Sequence, residues 1–134
     1  SAEMLGSVLE AFERSVEYLK VREQFGVPIG SFQALKHRAA LMFNEIELSK
    51  SIVLEGLSAL DVGRDDVALL ASCAKAKLCD AFELVSSEAV QLHGGIGMTD
   101  EEEIGFFLKR ARVAQQSFGD AAFHRDRFAR LREF

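Results

Sequence analysis

Apolar residues recur at three- and four-residue intervals along almost the whole chain, the period of an amphipathic helix. Leu5, Val8, Leu9, Phe12, Val16 and Leu19 make a first stripe. Leu35, Ala39, Met42, Phe43, Ile46, Val53, Leu57 and Leu60 make a second, which stops near Asp61-Val62-Gly63-Arg64-Asp65. The third is the cleanest, with Val67, Leu70, Ala71, Ala74, Leu78, Ala81, Phe82, Val85, Ala89 and Leu92. Ile104, Phe107, Leu108 and Ala111 make a shorter fourth. Gly26, Pro28 and Gly30 mark residues 25–30 as a connection, and Gly119 precedes one more short helix over residues 121–134. Ser31 and Asp66 are expected N-caps for the second and third helices. Thr99 and Glu102 are spaced as a capping box for the fourth. Asp100 to Glu103 would then sit at its positive end, and Lys109, Arg110 and Arg112 at its negative end.

The pattern predicts an all-α fold: an up-and-down four-helix bundle with a short extra C-terminal helix, in a single domain over residues 1–134. The second and third helices should lie side by side, with ends that reach toward a partner. Composition agrees. The chain has one proline and no tryptophan, and 49% of it is hydrophobic, enough for a buried core.

A net charge of −5 argues against a nucleic-acid surface. The one basic cluster, Arg125, Arg127, Arg130 and Arg132, reads as a solvated or ion-pairing face. Cys73 and Cys79 point in different directions on one helix, so they cannot bridge, and a reducing compartment fits. No apolar run reaches the ~20 residues that span a bilayer, so no membrane insertion is expected. No signal or transit peptide is visible. His37, His93 and His124 lack metal-ligand spacing and read as surface or helix-end residues. No metal site is expected.

Two segments resist a purely structural reading. One is Tyr18-Leu19-Lys20-Val21-Arg22-Glu23-Gln24-Phe25-Gly26-Val27-Pro28-Ile29-Gly30-Ser31-Phe32-Gln33. It gathers a cation, two amides and aromatics at a helix end. Arg22 suits a phosphate through its planar fork, or it meets the helix dipole with Gly26 ending the helix. The other is the loop Gln91-Leu92-His93-Gly94-Gly95-Ile96-Gly97-Met98-Thr99. Either it is a plain helix-to-helix turn, or its exposed backbone N–H groups beside a helix start invite an anion. It does not fit the dinucleotide fingerprint, which needs a preceding strand.

These two motifs, in this order and spacing, resemble the acyl-CoA dehydrogenase family, and the resemblance covers the family's C-terminal helical domain. It implies an N-terminal helical domain and a middle β domain that this chain does not contain, so the domain alone should be inactive. It implies FAD as cofactor, with Arg22 at the pyrophosphate of a neighbouring subunit's FAD and Gln24 and Phe25 lining that site. Gln33 would lie near the adenosine part, and Gln91, Gly94 and Gly95 would approach the same FAD from across the dimer. It also implies an acyl-CoA substrate, α,β-dehydrogenation, an electron-transfer flavoprotein as acceptor and a homo- or hetero-tetramer. The location would be a bacterial cytoplasm or, in a eukaryote, the mitochondrial matrix.

One position departs from the family. Many members carry a catalytic glutamate shortly after the fourth helix, where this chain reads Gln116-Ser117-Phe118-Gly119-Asp120. Phe118 stands in the base's place and cannot accept a proton. Asp120 could supply a carboxylate instead, the base could lie where some relatives carry it, early in this domain's first helix at a position expected to fall before Ser1, or this chain could be a non-catalytic partner of a catalytic subunit. A related acyl-CoA oxidase or flavin monooxygenase is the remaining alternative.

Overall fold

A computed structural model describes residues 1–133. It contains α1 (Ala2–Val21), β1 (Glu23–Gln24), β2 (Val27–Pro28), α2 (Gln33–Asp61), α3 (Val67–His93), α4 (Ile104–Gln116) and α5 (Ala121–Leu131). Short 3-10 turns cover Ile29–Ser31 and Gly94–Met98. Cross-helix ion pairs fix the directions. Arg38–Glu88 and Lys77–Glu45 run α2 antiparallel to α3, while Arg110–Glu3 and Arg14–Glu103 run α4 antiparallel to α1. The bundle is therefore up-down-up-down with an added fifth helix, as the periodicity predicts. Residue 134, the end of the expected last helix, lies outside the described residues.

Helix α3 is the axis of the molecule. Its buried residues include Ala74, Ala76, Leu78, Ala81, Phe82, Val85, Ser86 and Ala89, which spread around its circumference. The small ones let α1, α2, α4 and α5 approach it from several sides. Each large side chain fully buried there, such as Phe82 or Leu78, contributes about 1.5–3 kcal/mol. Helices α4 and α5 divide α3 between them. Lys75 meets α4 through the Ala114 carbonyl, while Asp80 and Ser72 meet Arg125 and Arg127 on α5. The basic cluster is thus largely an ion-pairing face, with Arg130 also held by Asp126.

Several local expectations need correcting. Residues 23–28 form a minimal antiparallel hairpin, with Glu23 opposite Pro28 and Gln24 opposite Val27. Phe25 and Gly26 at its tip have φ of 56° and 77°, the double left-handed turn that suits a two-residue hairpin. Ser31 does not cap α2; its hydroxyl donates to the Pro28 carbonyl, and α2 starts two residues later. Asp66 precedes α3 but gives its carboxylate to Arg64. Thr99 and Glu102 form no capping box, because α4 begins only at Ile104 and the Thr99 hydroxyl donates to the Ile96 carbonyl. The acidic run therefore lies before α4, and Lys109, Arg110 and Arg112 lie within it. Phe43, Leu57 and Leu60 are exposed, although the Phe43 ring still lies 6.2 Å from that of Phe12. The apolar stripe of α2 is wider and longer than α1 and α3 together cover, and Leu41, Leu48 and Leu54 also face outward.

Candidate functional site

The two unusual segments meet at one end of the bundle. Helix α1 ends at Val21 and α3 ends at His93. Tyr18, in the last turn of α1, stacks on the His93 ring with centroids 4.3 Å apart. Its hydroxyl also donates to the His93 carbonyl at 3.3 Å, across 75 residues of sequence. Arg22 follows Tyr18 by one helical turn on the same side of α1. Arg22 and the glycine loop are thereby anchored to one stacked pair.

Arg22 is exposed, and its guanidinium has no partner among the described residues; only its backbone bonds, to Tyr18 and Ile29. Most other arginines are spent on carboxylates, such as Arg14 on Glu10 and Glu103. Phe25 is 92% exposed in its left-handed conformation, edge-on to Phe32 at 6.0 Å. The Gln24 amide turns back to the Glu23 carbonyl. Gln33 opens α2 and Gln91 lies in the last turn of α3, both exposed. Gly30 holds the hairpin down, since a Cβ there would lie 2.8 Å from the Leu19 carbonyl oxygen.

The three glycines of the loop have three different reasons. Gly94 has φ 65° and ψ −144°, a conformation that in practice only glycine adopts. Gly97 is internal: a Cβ would lie 2.9 Å from the Val90 carbonyl oxygen and 3.0 Å from the His93 Cβ. Gly95 is exposed and nothing in the chain lies within 4 Å of its missing Cβ. No contact within the chain requires Gly95 to be small, so its size suits an external group. The expected anion cradle needs one correction. The Gly94 N–H is already bonded to the Gln91 and Val90 carbonyls, and the loop leads into a 3-10 turn rather than a helix start.

Phe118 and Asp120 do not join this assembly. They lie between α4 and α5 beside the middle of α3, about 20 Å along that helix from His93. Phe118 is 95% exposed with φ 61°. Asp120 caps α5 by accepting from the Phe123 N–H at 2.8 Å. The buried His124 ring holds the Phe118 carbonyl at 2.9 Å through Nε2. Buried Lys75 donates to the Ala114 carbonyl at 2.7 Å. Burial pushes the neighbouring Cys79 thiol up, against the pull of Lys75.

Sequence reasoning did not single out Tyr18 and His93 as partners. No local signal could find them, because the contact exists only once α1 and α3 run parallel. Among the described residues, no group of three or more His, Cys, Asp or Glu could hold a metal ion, and no helix is long and apolar enough to cross a membrane.

Known proteins share this architecture. The family model for the acyl-CoA dehydrogenase C-terminal domain matches residues 1–131. Acyl-CoA dehydrogenase IpdE2 of Mycolicibacterium smegmatis is 37% identical over 119 residues, covering 89% of this chain and 36% of that protein. Butyryl-CoA dehydrogenase from Megasphaera elsdenii superimposes with a TM-score of 0.94 at 28% identity, over 99% of this chain and 34% of that one. The Tcur3481-Tcur3483 steroid ACAD gives a TM-score of 0.90 at 30% identity, over 97% of this chain and 36% of that one. The chain thus spans about a third of the length of these relatives. It belongs to the acyl-CoA dehydrogenase family, as that family's C-terminal helical domain.

Proposed function

We propose that this chain is part of a flavin-dependent acyl-CoA dehydrogenase that oxidises the α,β bond of an acyl-CoA thioester. In this reading the domain binds the FAD of a neighbouring subunit and builds the oligomer core. The observation that carries it is the bundle end where an unpartnered guanidinium and an open glycine share one stacked support. These residues fit a dinucleotide. Arg22 offers a forked pair of charge-assisted hydrogen bonds to a pyrophosphate. Phe25 and Gln24 line the approach, Gln33 serves the adenosine side, and Gln91 offers an amide. Gly94 and Gly95 leave room for the backbone and cofactor to come close. Bound FAD would supply the hydride acceptor that no side chain here provides. The outward apolar face of α2 suits burial between subunits of a homo- or hetero-tetramer. An electron-transfer flavoprotein is the proposed acceptor, and a bacterial cytoplasm or mitochondrial matrix the proposed setting.

The test uses the full-length protein. Arg22→Ala should weaken FAD binding by about 1.5–3 kcal/mol, read by fluorescence titration of the apoprotein. Unchanged affinity would remove Arg22 from the site. Turnover of an acyl-CoA with an electron acceptor supports the dehydrogenase, whereas hydrogen peroxide in its place supports the oxidase alternative.

A second reading rests on the α4–α5 turn. Phe118 occupies the family's base position, and the nearest carboxylate, Asp120, is used as a helix cap. This favours a subunit that completes a catalytic partner's site without a base of its own. Turnover that appears only when a second dehydrogenase-like chain is added supports it; full activity alone rules it out.

A further inference from the structure

Gly6 lies inside α1, in its second turn, and is exposed. Its backbone is ordinary helix, outside the left-handed region, and nothing lies within 4 Å of the Cβ it lacks. Glycine inside a helix is less stable than alanine, because it gives up more backbone freedom on folding. Gly105 of α4 has a reason to be small, since its Cβ would lie 3.2 Å from the Gly97 carbonyl oxygen. Among the described residues no turn, cap or contact gives Gly6 such a reason.

Gly6 borders the groove between α1 and α4. Arg110 of α4 reaches Glu3, which lies one turn before Gly6 on the same side of α1. Ser7, Phe106, Phe107 and Arg110 line a groove of about 150 Å³ there. Phe106 is 52% exposed, and Val113, two turns further along the same side of α4, is 54% exposed. The polar groups around the groove are engaged. Arg110 pairs with Glu3, Arg14 pairs with Glu10 and Glu103, and Lys109 stands over the Phe106 ring. The Ser7 hydroxyl donates to the Glu3 carbonyl. What the groove presents is apolar area and, at Gly6, a place where a second backbone can come close.

Two other surfaces have tasks in the reading above. The bundle end at Tyr18 and His93 meets FAD, and the outward face of α2 meets other subunits. The chain spans about a third of the length of its relatives, so the larger polypeptide of that reading needs a seat on this bundle. We propose that a helix of the same polypeptide, outside residues 1–134, crosses α1 at Gly6 and lies in the α1–α4 groove against Phe106. The missing Cβ lets the two helix backbones approach, and Phe106 and Val113 supply the apolar contact. The inference rests on the reading of this domain as one part of a larger enzyme, and is independent of what the other end of the bundle binds.

The test uses the full-length protein. Leucine is a good helix former, so on an uncovered helix Gly6→Leu raises the melting temperature. Under a crossing helix the new side chain collides, and the melting temperature should fall by roughly 2–6 °C. A second readout leaves Gly6 unchanged. With Phe106 replaced by the photo-crosslinker benzoylphenylalanine, illumination should link position 106 to a segment of the same chain outside residues 1–134, identified by mass spectrometry of the digest. Mixing isotope-labelled and unlabelled protein separates links within a chain from links between copies. A link to a second copy, a link to added acyl-CoA, or no link overturns the proposal, as does a Gly6→Leu protein that melts as high as the parent or higher. FAD titration of the same samples keeps the two readings apart. An intact intrachain link in a protein that takes up no FAD ends the cofactor reading and leaves this seat standing.

Discussion

Two turns of this molecule look alike and differ in what they leave unused. The hairpin tip at Phe25 and the α4–α5 turn at Phe118 each hold a phenylalanine in the left-handed region, at φ 56° and 61°, and each leaves it more than nine-tenths exposed. Either conformation costs roughly 1–2 kcal/mol for a bulky residue. Around Phe118 most of the nearby polar groups are consumed internally, with the buried His124 Nδ1 as an exception. Asp120 caps α5, His124 holds the Phe118 carbonyl, the Ser117 hydroxyl returns to Val113 and Lys75 closes the end of α4. Around Phe25 capacity is left over: the Arg22 guanidinium and Gly95 have no work inside the chain. An exposed aromatic therefore does not by itself identify a binding site. An exposed charged group left without a partner beside it, such as the Arg22 guanidinium, is the more telling sign, because it is open to an external group.

The largest expected difference tests that contrast directly. Arg22→Ala should weaken FAD binding by roughly 10- to 150-fold. It should leave the melting temperature of the apoprotein nearly unchanged, because the side chain bonds to nothing in the fold. A lower melting temperature would mean that Arg22 is structural. Next comes the glycine loop, which should split. Gly97→Ala should cost about 1–3 kcal/mol in a denaturant titration, since its Cβ meets the Val90 carbonyl and His93. Gly95→Ala should stay within about 0.5 kcal/mol of the parent while reducing FAD affinity. Equal effects from the two glycines would erase the distinction between packing and binding.

Smaller effects belong to the other turn. Asp120→Ala should cost about 1 kcal/mol through loss of the α5 cap, with FAD affinity intact. A stability change near zero would free that carboxylate for another role. Phe118→Asn should stabilise the isolated domain by about 0.5 kcal/mol, because asparagine tolerates this conformation and the ring packs against little. Destabilisation there would show that the ring is held after all.

The helices were legible because burial imposes a period. The stripes of α1, α3 and α4 match the observed core at Val8, Leu19, Leu78, Phe82, Val85, Ile104 and Ala111. Helix starts were less legible. Ser31, Asp66 and Thr99 all have capping chemistry, yet each oxygen went to a competing local partner. Such competition is settled by a few tenths of a kcal/mol of geometry that sequence spacing does not encode. The site was partly legible. Arg22, Gln24, Phe25 and Gln33 fall within one connection, and Gln91, Gly94 and Gly95 within one helix end. That the two groups share an end of the bundle follows from helix direction, not from either motif.

Residue types and their spacing, by themselves, determined the helical class, the four main helices and the two motifs that resemble a known family. They did so because hydrophobic burial and glycine's conformational range act locally. The tertiary structure alone decided which of the three glycines is a packing residue, that the Arg22 guanidinium stays without a partner among the described residues, and that Tyr18 and His93 stack across the two motifs. Those distinctions depend on what stands a few ångströms away in space, and in this bundle the deciding neighbours lie as far as 75 residues away in the chain.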